Sequence, residues 1–175
     1  RGRAMCALVG WVVRLGRRAS PRLQASECGV DSLAGPPTGQ WTGVFLDRRE
    51  YRALVGSLAR GRALDMFSYH GSFALHLARS ADTVTAVDSS GPALERAREN
   101  LALNGLTNVT LTEADAFDFL RSEVAPGARY NTFVPHPPSF ARSRAAFHCT
   151  PLGYREITLH RVRARAAVAL HSLAA

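Results

Sequence analysis

The stretch from Arg62 to Ala78 constrains this chain most: a short apolar run stops at a glycine-containing turn and restarts with helical spacing. It reads as strand, turn, helix. Leu64, Met66 and Phe67 suit a strand buried on both faces, and Phe73, Leu75, Leu77 and Ala78 suit a helix packed back onto it. In an open parallel sheet such a turn lies at the carboxyl end of a strand, where ligands bind. Asp65 and Gly71 sit beside that crevice, and the expected fold class is α/β, Rossmann-like, with a mostly parallel sheet.

The second strand narrows the ligand. Thr83 to Val87 is a β-branched run ending at Asp88, and an acid at that place in this architecture accepts from ribose hydroxyls. A dinucleotide would also need its pyrophosphate cradled by three glycines at a helix N-terminus, whereas Ser68 to Phe73 offers only Gly71. S-adenosylmethionine carries adenosine without phosphate, so one glycine at a close backbone approach suffices. That cofactor is the expectation. The plain alternative is an ordinary α/β turn with solvated aspartates.

Along the chain, residues up to about Glu27 lack clean periodicity, and 1–28 read as an N-terminal arm or the remnant of a preceding domain. Gly35 to Gly39 is a turn signal that predicts a hairpin between Val30–Leu33 and Trp41–Leu46. Asp47 followed by Glu50 is a capping box opening a helix through Leu58. Ser89-Ser-Gly-Pro92 opens another, with Leu94, Ala97 and Leu101 on one face and Asn104-Gly105 at its end. The third strand, Asn108–Thr112, leads into Asp115 and Phe117. These two can hold an adenine edge, or Asp115 can simply cap the next helix, and the residues favour neither. The fourth strand is Tyr130–Val134, followed by His136-Pro137-Pro138-Ser-Phe140, and Gly153 to about Leu173 reads as a helix rich in arginine and alanine. A rigid Pro-Pro pair after a strand fixes carbonyls that can hold the edge of an extruded base.

Charge adds less than its size suggests. The 175 residues carry a formal +8, and every one of the 22 basic residues is arginine, without acids from Arg1 to Arg22 and dominant again beyond Arg121. A polyanionic partner would use those ends, although a solvated basic surface has the same composition. Cys6, Cys28 and Cys149 have no metal-ligand spacing, so a reduced, cytoplasmic setting without a metal is expected. Met5 to Val13 is too short to span a bilayer before Arg14 interrupts it.

Taken in order and spacing, the segments 39–49, 65–71, 87–88, 113–117 and 137–140 resemble the class I methyltransferase core of large-subunit ribosomal RNA methyltransferases, closest to those that make 5-methylcytosine. The likeness covers roughly Val30 to Arg161. It implies a partial S-adenosylmethionine-dependent methyltransferase domain over 29–175, with a sheet cut short after its fourth strand and the helix that follows. Asp65, Tyr69 and Gly71 would then line the methionine side of the cofactor, Asp88 its ribose, and Asp115 and Phe117 its adenine. Phe45, Asp47 and Arg49 would close over it, and His136, Pro137 and Pro138 would form the loop that meets the substrate base of ribosomal RNA. The chain has His136 where the family has an acid, and His70 where the cofactor loop usually has threonine.

Cytosine carbon 5 becomes a competent nucleophile only after a thiolate adds at carbon 6. The family cysteine that does this belongs beyond the matched segment, and Cys149 stands too early to replace it. Two alternatives follow: methylation of a guanine nitrogen, which needs no thiolate, and a non-catalytic module that binds S-adenosylmethionine or RNA.

Overall fold

The computed structural model describes residues 12–15, 23–34, 49–124, 128–136 and 168–169. Its main sheet is parallel, with β4 (Arg62–Met66) flanked by β5 (Thr83–Asp88) and then β6 (Val109–Glu113) on one side. On the other side lie β7 (Thr132–Pro135) and the two-residue β8 (Val168–Ala169). The register sets Asp65 beside Ala86 and Val134. Because strand order reverses on either side of β4, the carboxyl ends of β4, β5 and β7 open a crevice at the switch point.

The sequence dictates this centre directly. Ala63 to Met66 are all buried, which only a strand covered on both faces achieves. On one face Ala63, Val84, Ala86 and Val134 pack against α1 (Arg49–Leu58) and α2 (Ser72–Leu77) through Val55, Phe73, Ala74 and Leu77. On the other, Leu64, Met66, Val87 and Phe133 meet Ala116 and Phe119 of α4 (Ala116–Phe119), and Leu120 and Tyr130. Each fully buried side chain of this size stabilises the fold by about 1.5–3 kcal/mol. Between β5 and β6 runs α3 (Gly91–Leu103), started by the Ser90 side chain and Pro92 and burying Leu94, Ala97 and Leu101 as its spacing predicts.

One expectation falls outside the described residues and one needs correction. The expected hairpin partner of residues 30–34, the segment 41–46, lies outside the described residues. A three-stranded antiparallel sheet pairs β3 (Val30–Ala34) with the preceding β2 (Leu23–Glu27), and β2 with β1 (Val12–Leu15). The turn is Cys28-Gly29, both left-handed at φ 49° and 77°, the geometry that matches strand twist in a two-residue hairpin. Cysteine rarely adopts that backbone, so the turn was invisible as a sequence signal. Second, Val168–Ala169, read as helix, pairs parallel with Thr132 and Phe133 of β7; the rest of that segment lies outside the described residues.

The hairpin is bound tightly to the core. Arg52 of α1 donates to Glu27 at 2.7 Å, both side chains buried, and Arg79 donates to the carbonyl of Cys28 at 2.7 Å. Val30 joins Leu75 and Leu101 in a small apolar cluster. Between hairpin and helices lies a cavity of about 10 Å³, room for one water, lined by Glu27, Arg52, His70 and His76 among others. It lies at the hairpin interface, not at the switch point. Burial, and then the positive charges of Arg52 and Arg79, hold the His76 imidazole down to about 4.

Candidate cofactor site

The loop between β4 and α2 has an unusual backbone. Phe67, Tyr69 and Gly71 alternate in left-handed conformation at φ 61°, 52° and 82°. Two of the three are bulky L-residues, for which this region is strained by about 1 kcal/mol or more each, and such strain gathers at ligand sites. Gly71 caps α2 without a side-chain hydrogen bond, and a Cβ there would stand 3.2 Å from that of Ala97. The left-handed φ and the close approach together require glycine.

This conformation turns the Tyr69 amide to Oδ2 of Asp88 at 2.8 Å, while the Ser90 amide donates to Oδ1 at 2.9 Å. Asp88 is thereby fixed at the end of β5, half-buried, with a second lone pair on each oxygen for other donors. Asp65, at the end of β4, is fully buried, and neither of its carboxylate oxygens makes a hydrogen bond of good geometry, the Ala74 amide approaching only loosely; the buried Ser68 hydroxyl likewise has no partner. Burial raises the Asp65 carboxyl well above the ordinary carboxylate range, the Ala74 amide opposing this and the Asp88 charge adding to it. Buried polar atoms left without a good hydrogen bond are uncommon.

At the third strand end, Asp115 does what an N-cap does: Oδ1 accepts from the amides of Phe117 at 2.9 Å and Asp118 at 3.1 Å. Phe117 meets Phe67 edge-on, ring centroids 6.2 Å apart, joining the ends of β4 and β6. A π-helical turn, Leu120–Val124, follows. At the fourth, the His136 amide donates to the Met66 carbonyl at 3.3 Å, and its ring lies tilted on Phe73, 5.2 Å between centroids. Tyr51 covers the other edge of Phe73, so Arg49, which opens α1, stands two residues from this aromatic row. The structure therefore gathers Asp65, Tyr69, Gly71, Asp88 and His136 at the strand ends. Phe45, Asp47, Pro137, Pro138 and Phe140 lie outside the described residues.

The sequence reading places Phe67 in the strand, whereas β4 ends at Met66 and Phe67 stands in the loop at φ 61°. It takes Ser90 only as part of a helix start, without its amide contact to Asp88, and it misses Asn100. The contact of Ser90 with Asp88 is within reach of that reading, since the amide of an N-cap serine two residues after a strand end faces that end. Phe67 carried no signal, because nothing in a phenylalanine announces a left-handed backbone. Among the described residues no group of three His, Cys, Asp or Glu converges to hold a metal, and no helix is long and apolar enough to cross a membrane.

Comparison with known proteins gives this arrangement its class. A family described as a methyltransferase domain matches residues 63–131, the span from β4 to the edge of β7. The crystal structure of SMU.776, described as a methyltransferase and solved in complex with S-adenosylhomocysteine, superposes with a TM-score of 0.64 at 27% identity. It covers 74% of this chain and 35% of that one. Residues 63–131 thus match a methyltransferase domain, and the fold is the Rossmann-like one of S-adenosylmethionine-dependent methyltransferases.

Within that class it is similar to ribosomal RNA large subunit methyltransferases. The similarity to methyltransferase I of Shewanella amazonensis is 36% identity over 137 residues, 76% of this chain and 35% of the relative. That to the large subunit methyltransferase of Deinococcus radiodurans is 41% over 134 residues, 74% and 33%. The chain thus spans about a third of the length of these curated relatives.

Proposed function

We propose that this chain binds S-adenosylmethionine at the β4–β5 crevice and serves methylation of large-subunit ribosomal RNA in the cytoplasm, at cytosine carbon 5. The observation that supports it most is Asp88, a carboxylate fixed by the Tyr69 and Ser90 amides at a strand end, with acceptor capacity left for a vicinal diol. The remaining residues fit the cofactor. Asp65 and Ser68 offer buried polar atoms to its methionine half, Gly71 gives backbone access, and Phe117 gives an apolar wall for adenine beside Asp115. When bound, the cofactor supplies a methyl group on a sulfonium, and the protein's task is to orient it and exclude water.

The substrate base would meet the end of β7, where His136 can accept or donate a hydrogen bond according to its protonation. Guanine-nitrogen methylation, which needs no thiolate, is the second reading, and the described residues place no cysteine at the crevice. Cys28, the free cysteine among the described residues, is held beside Arg79 at the C-terminal end of α2, whereas the crevice opens at the N-terminal end of that helix. Cys28 is therefore not placed to be the thiolate that cytosine requires, and Cys6 and Cys149 lie outside the described residues.

The experiment is incubation of this chain with unmodified large-subunit ribosomal RNA and radiolabelled cofactor, then nucleoside analysis. Labelled 5-methylcytidine supports the first reading and labelled methylguanosine the second. Cofactor binding without either product leaves the non-catalytic module.

A further inference from the structure

Asn100 has no exposed surface, although its neighbours on α3, Ala97 and Leu101, are apolar. A polar side chain buried so fully is kept only where both ends of its amide are used. Here they serve two different parts of the molecule. Oδ1 accepts from the Leu33 amide of β3 at 2.8 Å, and Nδ2 donates to the His70 carbonyl at 3.1 Å. One turn further along, Asn104 accepts from the Asp31 amide at 2.8 Å and donates to the Asp31 carbonyl at 2.6 Å. The two asparagines thus complete the edge of β3 from the side, but only Asn100 also grips the loop.

We propose that Asn100 is a positioning residue for the cofactor, tying the hairpin to the His70 carbonyl and so holding Tyr69 where its amide meets Asp88. His70 lies between the left-handed Tyr69 and Gly71, so its carbonyl is the anchor of the strained part of the loop. Without that anchor the loop relaxes toward ordinary backbone angles, and the Tyr69 amide turns away from Asp88. On this account the N-terminal hairpin belongs to the scaffold of the cofactor site. The inference rests on the crevice being the S-adenosylmethionine site.

The test compares Asn100→Asp with Asn104→Ala. Asn100→Asp keeps the acceptor for Leu33 and replaces the donor facing His70 with an oxygen; Asn104→Ala breaks the hairpin contact on the same helix without touching the loop. Two quantities are read: affinity for S-adenosylhomocysteine by calorimetry, and hydrogen exchange of the Tyr69 amide relative to Val84 in the ligand-free protein. Asn100→Asp should weaken binding by about tenfold and speed exchange at Tyr69 with little change at Val84. Asn104→Ala should lower the unfolding midpoint and leave both readouts within about twofold of the parent. Unchanged exchange at Tyr69 in Asn100→Asp, or equal loosening in Asn104→Ala, would overturn the assignment. If Asn100→Asp does not fold, Asn100→Ala is read against the same two outcomes. A parent that fails to bind S-adenosylhomocysteine counts against the cofactor reading, while the exchange result still decides the role of Asn100.

Discussion

The backbone amide of Tyr69 donates to Oδ2 of Asp88 across 2.8 Å, locking the loop after β4 to the end of β5. The contact exists because Tyr69 adopts a left-handed backbone at φ 52°. Gly71 completes the same loop at φ 82°. Gly71→Ala should destabilise the fold by about 1–2 kcal/mol and weaken S-adenosylhomocysteine binding beyond what the stability loss explains. Urea unfolding beside calorimetric titration checks both; unchanged affinity in a destabilised variant would show that the loop geometry is indifferent to the ligand.

The Glu27–Arg52 pair ties the hairpin to α1 with both side chains buried. Removing one partner strands a buried charge, so Glu27→Ala or Arg52→Ala should each cost about 3–5 kcal/mol, whereas the double replacement Glu27→Leu with Arg52→Met should cost far less. Chemical denaturation of the three variants gives the comparison. Additive losses would mean the two residues act separately.

His76 gives a pH dependence whose sign is fixed. Its ordinary value is 6.5 and its folded value about 4, so between them the unfolded chain binds the proton and the folded chain does not. Stability from this group is full above pH 6.5 and is lost as pH falls toward 4, a total on the order of 3 kcal/mol. His76→Gln should flatten the stability profile across that window, and an unaltered slope would contradict the assignment.

Asp65 runs the other way. Its carboxyl is held above the usual range chiefly by burial, so the folded chain keeps a proton that the unfolded chain releases. Its contribution is full below the ordinary carboxylate value and is lost as pH rises through the folded value. Asp65→Asn should therefore be more stable than the parent at pH 8, by more than about 1 kcal/mol, with the gap closing toward pH 5. Unfolding curves at the two pH values measure it. Equal gaps would mean that Asp65 is not titrating.

Much of the fold was legible because its signals are local. The buried run of β4, the β-branched β5, the Ser-Gly-Pro start of α3 and the glycine after β4 each follow from propensity and period, and they placed Asp65, Gly71 and Asp88 at strand ends. The β2–β3 hairpin went unread because Cys28-Gly29 is a weak turn signal, its positive φ values held by docking onto α1, α2 and α3. Asn100 was illegible for a related reason. A single asparagine on a helix reads as solvated surface until the strand it pins is folded against it. Asp115 remained ambiguous because capping and adenine recognition ask for the same residue; the cap is what its Oδ1 makes.

The most direct test of the cofactor site is calorimetric titration of S-adenosylhomocysteine into the parent and into Asp88→Ala. Losing a carboxylate that accepts two ribose hydroxyls should cost roughly 1.5–3 kcal/mol, a ten- to hundredfold weaker affinity. Binding in the parent with that loss in the variant is the predicted result. Equal affinity in both, or no binding to a folded parent, would contradict it.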